Sequence, residues 1–221
     1  MTSKVLNKET ISSDALDVEH IERKIRSNWQ IGSYSAMTRN VHQTTRVSSQ
    51  VKTDDYALNF EAGAHVGNFL HTLLEHIDPT QDLLPQINKL TPSLTLRFGL
   101  KQKPETEDLT GWMHNVLHTP LNKQGMTLAG LDREHTRHEL EFDLSANNVQ
   151  CNKLNTLLRE QSSHELPPLD FKKFQGMITG IIDLVFEHEG KYYIADYKSN
   201  LLGRKFEDYS LENLSIDISA R

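Results

Sequence analysis

The sequence predicts an α/β fold in which a central mixed sheet is flanked by helices. Three observations predict it. Residues 64–77 carry apolar side chains at helical spacing, residues 138–144 alternate in the manner of a strand, and two β-rich runs, 177–187 and 191–197, are split by His188-Glu189-Gly190.

Taken in chain order, residues 1–28 are polar with a weak helical pattern at Leu16, Ile21 and Ile25, and are expected to form a connecting arm. The domain proper is expected over residues 29–221, opening with a short extended run from Trp29 that ends at Ser35, a residue able to cap a turn or helix. Residues 39–55 are rich in Ser, Thr and Gln without periodicity, which predicts a loop. The helix at 64–77 has Val66, Phe69, Leu70, Leu73, Leu74 and Ile77 on one side, stops at Asp78-Pro79, and places His71 at the edge of its apolar stripe. Further helices are expected over 81–90 and 105–118, the second with Trp112, Met113, Val116 and Leu117 on one side. The strand at 138–144 sets Glu139 and Glu141 on one face and Leu140, Phe142 and Leu144 on the other, and a helix follows at 149–162. The two β-rich runs then form a hairpin.

At 221 residues the chain has room for one core of ordinary size, with an appended arm. Its single cysteine, Cys151, excludes a disulfide framework and any four-cysteine metal site built within the chain, and fits a reducing compartment. The N-terminal residues lack the apolar core of a signal peptide, and no apolar run approaches membrane-spanning length, so a cytoplasmic, soluble protein is expected. The 24 Lys+Arg against 30 Asp+Glu give a net charge of −6, which argues against a domain that grips nucleic acid by phosphate neutralisation alone. Any DNA it handles is expected to be delivered by another element. The pair Gly190-Lys191 is followed by Tyr192, so no phosphate-binding loop of an ATPase motor is present. His114 and His118 stand at i, i+4 but have no Cys or acidic partner at ligand spacing, and are read as surface residues.

The hairpin carries the chemistry. A two-residue loop at Glu189-Gly190 sets His188 against Lys191 and Phe186 against Tyr193, and brings Asp183 opposite Asp196. Directly opposed Cβ atoms lie about 5 Å apart, close enough for two carboxylates to share one cation. Lys198 follows Asp196 by two residues, so it is expected on the same face about 7 Å along the strand. Ile181, Val185 and Ile194 share that face, and Ile182, Leu184, Phe186, Tyr193 and Ala195 the other, so both sides of the sheet are expected to be covered. Opposed like charges in such surroundings call for a counter-ion, and hard oxygen ligands suit Mg²⁺ or Mn²⁺ better than Zn²⁺. A neighbouring ammonium group can orient attacking water or stabilise charge on a phosphate. Read without that context, Asp-x-Lys in a strand is a surface ion pair.

The run from Gly176 to Gly203, with Gly180-Ile-Ile-Asp183 and Ile194-Ala-Asp196-Tyr-Lys198-Ser-Asn, resembles the nuclease motif of RecB-type domains in the PD-(D/E)XK superfamily, which have a restriction-endonuclease-like core. Trp29–Ser35 and Gly67-Asn-Phe-Leu-His71-Thr-Leu-Leu-Glu75 are similar to the start of that domain and to its histidine-bearing helix. The resemblance implies Mg²⁺-dependent hydrolysis of DNA phosphodiesters in double-strand-break repair and recombination. It also implies that DNA is fed to the domain within a RecBCD-like helicase–nuclease complex. It makes His71, Asp183 and Asp196 metal ligands, the backbone carbonyl of Tyr197 a further ligand, and Lys198 the catalytic lysine. Glu139 takes the place of the family's additional acid, with Glu141 as the alternative. The same resemblance calls for a Gln-x-x-x-Tyr helix beyond the lysine, and no such pattern occurs before Arg221. The domain is therefore expected to be incomplete at its C-terminus and part of a longer polypeptide. The competing reading is a non-catalytic copy of this fold used for DNA binding or subunit docking.

Overall fold

The computed structural model describes residues 29–33, 53, 55–161, 168–169, 171 and 173–219. The expected arm at 1–28, and nearly all of the expected loop at 39–55, lie outside the described residues.

The architecture is α/β, with a mixed sheet. Strand β1 (Gln30–Ser33) runs parallel to β3 (Lys173–His188), while β2 (Thr136–Gln150) and β4 (Lys191–Ala195) run antiparallel to β3. The sheet order is β1-β3-β2, with β4 also paired to β3. β1 pairs with Gly176–Thr179 and β4 with Leu184–His188, so two short strands meet successive lengths of one long strand. The close approach of β1 requires glycine at 176, where φ is 146° and a Cβ would strike the Gln30 carbonyl. The Glu189-Gly190 loop has φ of 52° and 73°, the left-handed pair of a two-residue hairpin turn, and the register follows as expected: His188 against Lys191, Phe186 against Tyr193.

Helix α1 (Tyr56–Asn59) is short, with Asp55 capping it through the Leu58 N–H. Helices α2 (Ala64–His76), α3 (Leu83–Phe98) and α4 (Thr106–His118) pack into the main core, in which Phe69, Leu73, Ile87 and Leu109 are fully buried. Each such side chain removed from water contributes about 1.5–3 kcal/mol. The α2 stripe is the one the spacing predicts. α3 runs eight residues past its expected end at 90, because Pro92 sits inside the helix while Thr91 donates its hydroxyl to the Ile87 carbonyl (2.7 Å) and Gly99, at φ 65°, caps the end. Helices α5 (Cys151–Gln161) and α6 (Leu211–Ser219) complete the set, and α6 had no counterpart in the sequence reading.

Coverage of the sheet departs from expectation. Leu184 and Phe186 are buried against Leu128 and Leu131, whereas Ile181 and Ile194, on the face that alternation assigns to Asp183, are 56% and 71% exposed. That face is open around Ile181 and Ile194 among the described residues. Between α2, α4 and β3 lies a cavity of about 130 Å³ lined by Leu74, Leu117, Leu184 and Tyr197.

Candidate active site

The strand β4 ends at Ala195, two residues short of its expected end at Tyr197, and the reason is a side chain. The Tyr197 N–H donates to Asp183 Oδ2 (2.8 Å) in place of a β3 carbonyl, so the ladder stops after the Leu184–Ala195 pair. Asp196, Tyr197 and Lys198 therefore lie beyond the strand. Tyr197 is held from both sides: its carbonyl lies 3.0 Å from His71 Nε2, and the ring edges against the imidazole at 5.7 Å between centroids. Burial and the Asp183 charge push its phenol up to about 12, which removes it from acid–base chemistry near neutral pH.

His71 is set on α2, and its other nitrogen, Nδ1, lies 3.6 Å from Asp183 Oδ2. Glu139 enters from β2. It occupies the position opposite Asp183, between the pairs His138–Leu184 and Leu140–Ile182, and has φ of 48°. Such a left-handed backbone at a non-glycine residue costs on the order of 1 kcal/mol and marks a position set by its surroundings. One ligand atom each from His71, Glu139 and Asp183 lie within 4.8 Å of one another. Burial raises the Glu139 carboxyl above its ordinary range, and the neighbouring charges of Asp183 and Glu75 raise it further, while His71 opposes them. Two carboxylates and an imidazole converging in this way form a donor set suited to a divalent cation.

Of the residues the sequence singled out, the structure brings His71, Glu139, Asp183 and the Tyr197 carbonyl together. Asp196 stands outside the three-donor group: its carboxylate is ion-paired with Lys198 Nζ, the two side chains being 54% and 47% exposed. The expected pairing of Asp183 with Asp196 does not form: the ladder ends at Leu184–Ala195, one pair short of it. Glu141 faces Ile181, one step away from the group. His114 and His118 are exposed and stack on each other at 4.0 Å between centroids, with no acid joining them among the described residues. Sequence reasoning passed over Glu75, whose charge reaches both Glu139 and His138; its place four residues after His71 on one helix face is the signal that would have found it. It also passed over Gly67, where an added Cβ would stand 2.9 Å from Ser199 Oγ, so the segment following Lys198 packs directly on α2.

Comparison with known proteins identifies the family. A family profile described as the PD-(D/E)XK nuclease superfamily matches residues 42–213. The chain is 34% identical over 226 residues to "RecBCD enzyme subunit RecB" of Escherichia coli, covering 95% of this chain and 19% of that protein. The protein of the same name from Haemophilus influenzae is 39% identical over 163 residues (71% of this chain, 13% of that one), and that of Chlamydia pneumoniae 56% over 133 residues (60% and 12%). The chain thus spans about a fifth or less of the length of these relatives. No described helix is long and apolar enough to cross a membrane. The chain belongs to the PD-(D/E)XK nuclease superfamily, as a nuclease domain of RecB type.

Proposed function

We propose that this chain, over residues 29–221, hydrolyses DNA phosphodiester bonds with Mg²⁺, Mn²⁺ substituting, as the nuclease domain of a cytoplasmic helicase–nuclease of RecBCD type acting in double-strand-break repair. The observation that carries the reading is the convergence of His71, Glu139 and Asp183, with ligand atoms within 4.8 Å of one another. His71, Glu139 and Asp183 would hold the cation, with the Tyr197 carbonyl a further donor and Asp196 joining on release from Lys198. Bound there, the ion supplies polarisation of a phosphoryl oxygen and activation of water.

The chain's own groups do the rest. The Tyr197 N–H fixes one oxygen of Asp183, so that carboxylate is aimed before any ligand arrives. Lys198, exposed at the rim, places a compact positive charge where the substrate phosphate approaches, stabilising charge that builds on it and orienting the attacking water. The relatives named as subunits of a RecBCD enzyme support the assignment of sister subunits as partners.

Asp183→Asn keeps the acceptor for Tyr197 N–H while removing the charge. Mn²⁺ binding measured by calorimetry is expected to disappear, and single-turnover cleavage of single-stranded DNA in Mg²⁺ to fall at least about 1,000-fold, which corresponds to about 4 kcal/mol of transition-state stabilisation. Unchanged cleavage would end this reading; cation binding by the wild type without any cleavage would favour the non-catalytic docking module.

A further inference from the structure

A second cavity, of about 330 Å³, opens next to Lys198. It is lined by the continuous run Lys198–Leu201, by Ala57 and Leu58 of α1 with Phe60 and Glu61, and by Trp112. We propose that this cavity receives an unpaired nucleobase of the strand being cut, stacked on Phe206, next to the phosphate held at the cation site. The inference rests on the phosphodiesterase reading for the position of that phosphate.

Four observations carry it. First, a phosphate engaged by Lys198 leaves its adjoining nucleotide within reach of a cavity that Lys198 itself lines. Second, Phe206, also in the lining, is 83% exposed at the head of the 3₁₀ turn Phe206–Tyr209, presenting an aromatic face to water. Third, with a net charge of −6 the chain cannot rely on phosphate neutralisation to retain a strand, and base stacking on aromatic rings is the charge-independent means available. Fourth, the walls are braced without drawing on the pocket's interior. Arg204 donates to the carbonyls of Leu58 and Phe60, tying one wall to the other. The Tyr209 hydroxyl donates to the Gly203 carbonyl and accepts from the Leu202 N–H, both at 3.3 Å. The two acids in the lining are already engaged, Asp55 with the Leu58 N–H (3.0 Å) and Glu61 with the Lys101 N–H (3.0 Å). The volume lies at the small end of ordinary ligand pockets, about 300–1,000 Å³. A base stacked within a duplex has neither face free, so the pocket selects strands with an unpaired base beside the scissile bond.

The test places 2-aminopurine at successive positions of a single strand and follows its fluorescence on binding to the 221-residue chain with Ca²⁺ in place of Mg²⁺. Quenching at one position is expected, lost in Phe206→Ala together with roughly tenfold weaker strand binding, and restored in Phe206→Trp. An abasic site at that position should weaken the wild type by a similar factor and leave Phe206→Ala unaffected. Uniform fluorescence along the strand, binding by Phe206→Ala within twofold of wild type, or an abasic penalty that persists in that variant would each overturn the proposal. Phe206 is too exposed for its removal to threaten the fold. Wild-type cleavage of bis(4-nitrophenyl) phosphate, which carries no base, tests the phosphodiesterase reading separately, so the two can fail independently.

Discussion

Asp183 lies on β3 and Asp196 just past the end of β4, and their surroundings differ sharply. Asp183 is 13% exposed, tied to a backbone N–H and beside an imidazole; Asp196 is 54% exposed and paired with the neighbouring ammonium of Lys198. The difference separates two tasks. The part of the site on β2, β3 and α2 is held by ladders and a packed helix, whereas Asp196 and Lys198 lie off the ladder with side chains about half exposed: a ladder-held grip beside an exposed rim.

The widest separation of the two halves comes from Lys198→Ala. Cleavage is expected to fall about 100- to 1,000-fold while Mn²⁺ affinity by calorimetry stays within about threefold or rises as Asp196 is released. Parallel loss of both would mean that the two halves are one unit. Gly67→Ala acts through packing: the added methyl meets Ser199 and displaces the Lys198 segment, so cleavage is expected to drop about tenfold. Thermal stability should hold or rise in the same variant, because alanine is the better helix former by about 1 kcal/mol. A matching fall in melting temperature would show that the rim is as firmly packed as the grip. The smallest effect concerns the grip alone. Glu139 has its carboxyl raised in the fold, so the stability it contributes is complete below the unfolded value of 4.5 and is lost as pH rises through its folded value. With divalent ions chelated, the melting temperature of Glu139→Gln should therefore gain on that of the wild type as pH rises above 4.5. Equal slopes would place no electrostatic crowding at this position.

Much of this was legible in the residues. The α2 stripe and the hairpin register follow from periodicity and from a two-residue turn, both local properties. That Glu139 rather than Glu141 lies opposite Asp183 follows once β2 is aligned on β3, a long-range pairing that a strand pattern alone does not specify. What the residues did not disclose is the end of β4: alternation continues through Tyr197, and only the capture of its N–H by Asp183 ends the strand. Nor did they disclose the open face of the sheet, since Ile181 and Ile194 read as buried from their chemistry and are exposed only because no described element lies over them. The expected 81–90 helix fell short because the course of the chain through Pro92 is decided by the packing of Thr91 and Leu94 in the core.

The division of one flank of β3 between β1 and β4 has a consequence for which length changes this domain can absorb. Residues added ahead of β1, or between the helices, would alter the parallel half of that flank or the helical layer and leave the Asp183 end in place. The bend at Glu189-Gly190 has no such latitude. An extra residue there would carry Asp196 and Lys198 one position past the grip, so variation in size should collect in the connections elsewhere and spare this one bend.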